Sequence, residues 1–330
     1  MNTSDAIEQA ALQLSALERE LRKQYVGQDP LIRAVLTGLL AGGNMLIEGT
    51  PGLGKTLLVR LLSQSLQLPF RRIQFTPDLM PADITGGQTL LRGQDGSVEL
   101  TFRRGPIFSN IVLADEINRG TPKTQAALLE AMAERSVTVA GKTHKLAAPF
   151  FVIATQNPIE MEGTYPLPEA QLDRFLLKLL VSFPSLEELT AIGLQTTAGT
   201  APDLEAILDG TSLLALQQQA EAVVIDPALA RRAAALVLAT HPDRSDSPKP
   251  IQQYVRFGAS PRAMQALLRA GRASALLNGR AHLSDADLRA VALPVLRHRI
   301  FTRFEAEMEG ISTDQLVDAA LQGVGLARGG

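Results

Sequence analysis

Met45-Leu46-Ile47-Glu48-Gly49-Thr50-Pro51-Gly52-Leu53-Gly54-Lys55-Thr56-Leu57-Leu58-Val59-Arg60-Leu61-Leu62 decides the fold of this chain. The first four residues read as a short buried strand and the last six as a helix. Between them, Gly49–Thr56 fits the phosphate-cradling pattern G-x-x-x-x-G-K-[ST]. Glycines let backbone N–H groups approach a triphosphate, and the helix N-terminus adds a positive dipole end. In this pattern Lys55 reaches the β- and γ-phosphates and the Thr56 hydroxyl ligates Mg²⁺. By average residue usage, an accidental match arises in roughly one chain in a hundred of this length.

The order of segments around this loop fits an α/β sheet. Residues 5–24 carry helical periodicity through Ile7, Ala11, Leu14, Leu17 and Leu21, and a second helix is expected over about 29–41. Apolar runs follow at Met45–Ile47, Arg72–Phe75, Ile111–Ala114, Phe150–Ala154 and Phe175–Val181, with helices between them. Five such strands predict a parallel sheet covered on both faces. Two segments interrupt the rhythm. Thr89–Phe102 turns around Gln94-Asp95-Gly96-Ser97, and Val137–Leu146 turns around Ala140-Gly141-Lys142. Both read as inserted β-hairpins. After Phe183-Pro184 the composition shifts to Ala, Leu and Gln, which predicts a mostly helical segment over about 185–325, with a polar loop at Pro242–Pro250. The expected domains are therefore 1–184 and 185–330. Ile84-Thr85-Gly86-Gly87-Gln88 resembles the signature peptide of ABC transporter ATPases, but it follows the phosphate loop too closely. It reads as a glycine turn entering the first hairpin.

Composition narrows the function. The 330 residues are 45% hydrophobic and 20% charged, enough for a real core, and the formal net charge of -2 does not advertise nucleic-acid binding. Three Tyr, eleven Phe and no Trp leave little material for base stacking. The absence of Cys excludes disulfides and thiolate metal sites. His144, His241, His282 and His298 are scattered without ligand spacing and read as structural or surface histidines. The chain shows no signal-peptide pattern and no apolar run of about 18 residues, so a cytoplasmic location is expected.

Two further strand ends carry chemistry. Ile111-Val112-Leu113-Ala114-Asp115-Glu116 places two carboxylates at the ligand edge of a parallel sheet. Asp115 reads as the Mg²⁺ residue, acting through water, and Glu116 as the base for an attacking water, a pairing that favours hydrolysis. Phe150–Pro158 presents Asn157 at a strand tip, where its amide can orient that water. No Asn-Lys-x-Asp guanine-reading motif is present, so ATP/ADP is the expected nucleotide.

Together these residues resemble the AAA+ ATPases, and more closely their MoxR family. The resemblance spans nearly the whole chain. It is carried by Gly49–Thr56, Phe102–Ile107 leading into Ile111–Arg119, Ala154–Pro158, Pro168–Phe175 and Gly258-Ala259-Ser260-Pro261-Arg262. It implies that Asn157 is sensor 1, that Arg174 is an arginine finger reaching a neighbouring subunit's site, and that Arg262 is sensor 2, in cis or in trans. Val26-Gly27-Gln28 matches the segment packed near adenine, so Val26 and Gly27 join Gly49, Pro51, Gly52, Leu53, Gly54, Lys55, Thr56 and Leu57 as expected nucleotide contacts. The hairpins match the helix-2 insert and the pre-sensor-1 hairpin. The family implies a homo-oligomeric ring, commonly a hexamer. It also implies a protein client, remodelled in a chaperone-like way alongside a partner with a von Willebrand factor A domain. Arg119 and Arg104 stay open between subunit-interface residues and surface charges. Two other function classes remain open: a nucleic-acid motor, with Arg103, Arg104, Lys142 and Lys145 lining a pore, and a nucleotide-locked scaffold with little turnover.

Overall fold

The computed structural model describes residues 3–92, 98–158, 163–197 and 203–326. Two helices, Thr3–Arg22 and Asp29–Leu40, precede the sheet. The strands are β1 (Met45–Glu48), β2 (Phe70–Gln74), β3 (Gly86–Arg92), β4 (Val98–Arg104), β5 (Ile111–Asp115), β6 (Ser136–Val139), β7 (Lys142–Lys145), β8 (Phe151–Gln156) and β9 (Leu177–Leu180). The central sheet has the order β2-β5-β8-β1-β9, and every pairing in it is parallel.

Strand periodicity explains why the sheet must be covered twice. Met45 and Ile47 of β1 face one core, shared with the helices Thr3–Arg22, Asp29–Leu40 and Lys55–Ser65, and Leu46 between them faces the other. Ile111 and Leu113 of β5 alternate with Val112 and Ala114 in the same way. The second core gathers Phe75, Leu128, Met132 and Phe175 beneath the helix Pro122–Glu134. A strand buried on both faces reads as a continuous apolar run, and β5 and β8 both do.

Both hairpins form as separate antiparallel pairs, β3 with β4 and β6 with β7. The first begins earlier than expected, because Gly86 ends the short helix Pro81–Thr85 and starts β3 directly. The expected Asp95-Gly96 turn lies outside the described residues. The second turns through Ala140-Gly141, both at positive φ (49° and 76°), as a two-residue hairpin loop requires.

Beyond residue 185 the chain is largely helical, with one correction. β10 (Val255–Phe257) pairs antiparallel with β11 (Phe301–Thr302), and Val224 bridges His282. Strands of two or three residues are too short to impose a visible period on Ala/Leu-rich sequence. The first of these C-terminal helices, Leu186–Thr197, lies against the phosphate loop's flank, and the long helix Pro261–Leu277 packs on Asp29–Leu40 and Thr3–Arg22. Among the described residues no helix is long and apolar enough to cross a membrane.

Candidate functional site

The sheet order brings the ends of β1, β5 and β8 side by side, with β2 next to β5. A cavity of about 230 Å³ opens there, lined by Pro51–Leu57 together with Arg72, Asp115, Glu116, Thr155 and Asn157. Gly54 holds φ at 73° at the start of the helix Lys55–Ser65, a left-handed geometry that glycine reaches without strain. Lys55 Nζ folds back onto its own loop, donating to the carbonyl oxygens of Gly49 and, at 3.1 Å, Thr50. Burial pulls the Lys55 pKa down, while Asp115 and Glu116 pull it up. Thr56 is exposed in the first helical turn, with its side chain at the cavity wall.

Three residues that sequence reading had given no role complete this centre. Thr155 donates to Asp115 Oδ1 at 2.5 Å and accepts from the Glu116 N–H at 2.9 Å. Arg72 grips Asp115 Oδ2 through Nε (2.9 Å) and Nη2 (2.6 Å). Gln74 donates to Glu116 Oε2 at 2.7 Å, and Arg119 donates to the same oxygen at 3.1 Å. Arg119 is thereby placed beside the expected base. Glu116 itself sits at φ 55°, ψ 51°. A left-handed glutamate is strained backbone, and such strain concentrates at functional sites. Asn157 is buried at the tip of β8 and lines the same cavity.

A second cavity, of about 270 Å³, continues from the first through Gly52, Leu53, Gly54 and Leu57. Its far wall is apolar, from Tyr25, Val26, Val181, Phe183, Leu189 and Ile192. Behind Val26 the chain makes two consecutive left-handed residues, Gly27 (φ 71°) and Gln28 (φ 57°). Glu188 of the Leu186–Thr197 helix pins this turn by accepting the Gln28 N–H at 3.1 Å, and Gln28 Nε2 reaches Ser182 O at 3.0 Å. Gly27 leaves room for that carboxylate: a Cβ there would lie 2.4 Å from Glu188 Oε1. The Tyr25 hydroxyl donates to Leu53 O at 3.3 Å, and burial pushes its pKa up to about 12. A flat, apolar-faced base with a polar edge suits this slot, and polyphosphate suits the loop beyond it.

Arg174 and Arg262 do not line either cavity. Arg174 is exposed and donates to Leu129 O at 2.9 Å. Arg262, 67% exposed, stands 3.7 Å from Asp173, the residue before Arg174.

The comparisons fit this geometry. Residues 44–177 match the family described as "ATPase family associated with various cellular activities (AAA)", and residues 249–320 match the AAA lid domain. The chain is 42% identical to Chaperone MoxR1 of Mycobacterium tuberculosis, over 96% of this chain and 84% of that one. It belongs to the MoxR family of AAA+ ATPases. Another relative of this MoxR-family chain is the uncharacterized protein YeaC of Bacillus subtilis, 44% identical over 92% of each chain. A crystal structure of a candidate ATPase from Cytophaga hutchinsonii superposes with a TM-score of 0.89 at 38% identity, covering 97% of this chain and 96% of that one.

Proposed function

We propose that this MoxR-family chain hydrolyses ATP as a subunit of a ring, of hexameric type, and uses the energy to remodel protein complexes in a chaperone-like way. The relative named Chaperone MoxR1 supports the chaperone part of that reading. Residues 1–184 serve as the nucleotide-binding domain and 185–330 as the lid; the work is done in the cytoplasm, beside a partner with a von Willebrand factor A domain.

One observation carries the reading. Lys55, Thr56, Asp115, Glu116 and Asn157 line one cavity, whereas Arg174 and Arg262, both exposed, stand outside it. A phosphate site that lacks the expected finger is incomplete, and a second subunit supplies it. That arrangement favours a trans role for Arg262 as well as Arg174.

The residues fit the chemistry. On nucleotide binding, Lys55 exchanges two loop carbonyls for phosphate oxygens, which are stronger, charge-assisted partners. Among the described residues no three His, Cys, Asp or Glu side chains converge as a metal cage. Thr56, with Asp115 acting through water, suits Mg²⁺, which keeps several waters and takes phosphate oxygens. Asp115 is already held by Arg72 and Thr155, which agrees with contact through water. Held there by Thr56 and, through water, Asp115, Mg²⁺ would supply positive charge to offset that of the phosphates. Glu116 accepts the water's proton once it leaves Gln74 and Arg119, and Asn157 orients that water.

The test is turnover against protein concentration. Specific activity is expected to rise as subunits assemble, and mixing Arg174→Ala subunits with Lys55→Ala subunits is expected to recover activity where an intact loop meets an intact finger. Concentration-independent turnover, or co-assembled mixtures without recovery, would refute the shared site. Turnover stimulated by DNA and suppressed by salt would favour a nucleic-acid motor instead.

A further inference from the structure

The run Arg297-His298-Arg299 lies along the backbone that carries Arg174. Arg297 Nη1 donates to Lys178 O at 3.2 Å, while its other nitrogens hold Asp314 at 2.8 and 3.0 Å. His298 is fully buried, with Nε2 3.0 Å from Phe175 O, and burial followed by the Arg299 charge holds its pKa well below the usual histidine value. The Arg299 side chain is only 3% exposed. It donates to Asp173 Oδ1 (2.7 Å), Phe175 O (2.7 Å), Leu176 O (3.1 Å), Asp173 O (3.4 Å) and Val295 O. Four of those five acceptors belong to residues 173–176.

The other oxygen of Asp173 is taken by the lid as well. Ser260, which caps the helix Pro261–Leu277, donates to Asp173 Oδ2 at 3.0 Å. Two separate parts of the lid therefore close on the residue that precedes Arg174. Burying a guanidinium costs more than burying a leucine of similar bulk, so the gain lies in a fixed geometry that only a five-donor planar fork supplies. The strand that follows, β9, is an edge strand: among the described residues no other strand pairs its outer side. Its far end runs into Val181, Ser182, Phe183 and Pro184, which wall the apolar cavity together with Leu189 and Ile192 of the Leu186–Thr197 helix. One short segment thus has the finger at one end, the base-binding wall at the other, and the lid gripping it between.

We propose that Asp173 and Arg299 are positioning residues for Arg174, so that the lid of one subunit sets the arginine which that subunit presents to its neighbour. This rests on the reading of Arg174 as a residue of the neighbouring site. Nucleotide held against a subunit's own lid then changes turnover next door, through contacts that touch no nucleotide themselves. The signature is asymmetric: damage to the clamp appears in the neighbour's turnover and not in nucleotide affinity at the damaged subunit's own loop.

Three mixtures test this. Arg174→Ala subunits, with intact loops, are mixed with Lys55→Ala subunits, with intact fingers, or with the same Lys55→Ala subunits also carrying Asp173→Asn or Arg299→Lys. Co-assembly is checked by mass photometry and nucleotide affinity of the Arg174→Ala subunits by titration. Small misplacements of a reacting group cost orders of magnitude, so recovery with the clamp variants is expected to fall about tenfold or more below the plain mixture. Asp173→Asn alone should lower kcat by a similar factor while leaving ADP affinity within about twofold. Equal recovery in the plain and clamp mixtures overturns the proposal. No recovery in the plain mixture removes the trans reading itself, and the clamp with it. Asp173 is 16% exposed in its side chain, so its isosteric variant keeps the experiment open where Arg299→Lys fails to fold.

Discussion

Replacing Gly27 with alanine tests the nucleotide slot without touching the phosphate loop. Gly27 has φ 71°, where an L-residue costs about 1–2 kcal/mol. The added Cβ would also lie 2.4 Å from Glu188 Oε1 and 2.7 Å from Glu188 Cγ, so the side chain that accepts the Gln28 N–H must swing away. In the free protein the variant turn relaxes out of the left-handed region. Nucleotide binding must then restore it, so the backbone cost is charged to binding. At about 1.4 kcal/mol per tenfold, 1–2 kcal/mol predicts a loss in affinity of about five- to thirtyfold. Titration with a fluorescent ADP analogue measures it. The double variant Gly27→Ala/Glu188→Ala removes the clash but not the strained φ, and is expected to stay well below wild type. If Gly27→Ala binds within about twofold of wild type, the turn does not shape the slot and the assignment of Val26-Gly27-Gln28 to the base is wrong.

Three other perturbations report on separate parts. Glu116→Gln is expected to keep ATP binding and lose most turnover, since an amide cannot accept the water's proton, whereas Lys55→Ala should weaken binding itself; steady-state turnover near wild type in Glu116→Gln would remove Glu116 as the base. Tyr25 is raised to about 12 by burial, so its folded pKa lies above the unfolded value of about 10. Its contribution is complete below about pH 10 and is lost as pH climbs towards 12, by about 2–3 kcal/mol in all. Tyr25→Phe should flatten that alkaline decline in urea unfolding, and parallel curves for the two proteins would contradict the buried phenol. Replacing Ala140-Gly141-Lys142-Thr143 with Asn-Gly, which shortens β7 by two residues, should spare assembly and basal turnover but reduce stimulation by the proposed partner; an undiminished response would show that this hairpin takes no part in that stimulation.

What the chain disclosed before folding, and what it withheld, follows from sequence distance. The phosphate loop and the Asp115-Glu116 pair were legible because their chemistry is local: a strand, a turn and a helix within eighteen residues. Arg72, Gln74 and Thr155 were not, because they enter through sheet pairing. β2 and β5 run parallel with Gln74 opposite Asp115 and Arg72 opposite Leu113. Side chains two apart share a face, so this register sets Arg72 and Gln74 beside the two carboxylates. No spacing within either strand announces that. Glu188, 160 residues from the turn it pins, is hidden for the same reason.

Arg299 shows a second kind of concealment. A charge run in a helical region is usually a solvated face, because an isolated buried charge is expensive. The expectation fails when the surrounding backbone offers enough acceptors. Residues 173–176 offer four, three of them main-chain carbonyls, beside the edge strand β9. Backbone carbonyls carry no sequence signature, so nothing in Asp173-Arg174-Phe175-Leu176 advertises them as a receptor for a guanidinium. The same feature makes the clamp sensitive to displacement of the lid. A single planar fork bonded to several carbonyls at fixed positions loses several bonds together when the lid tilts, instead of weakening by degrees. A contact that is lost as a unit has the property that the proposed relay between subunits requires.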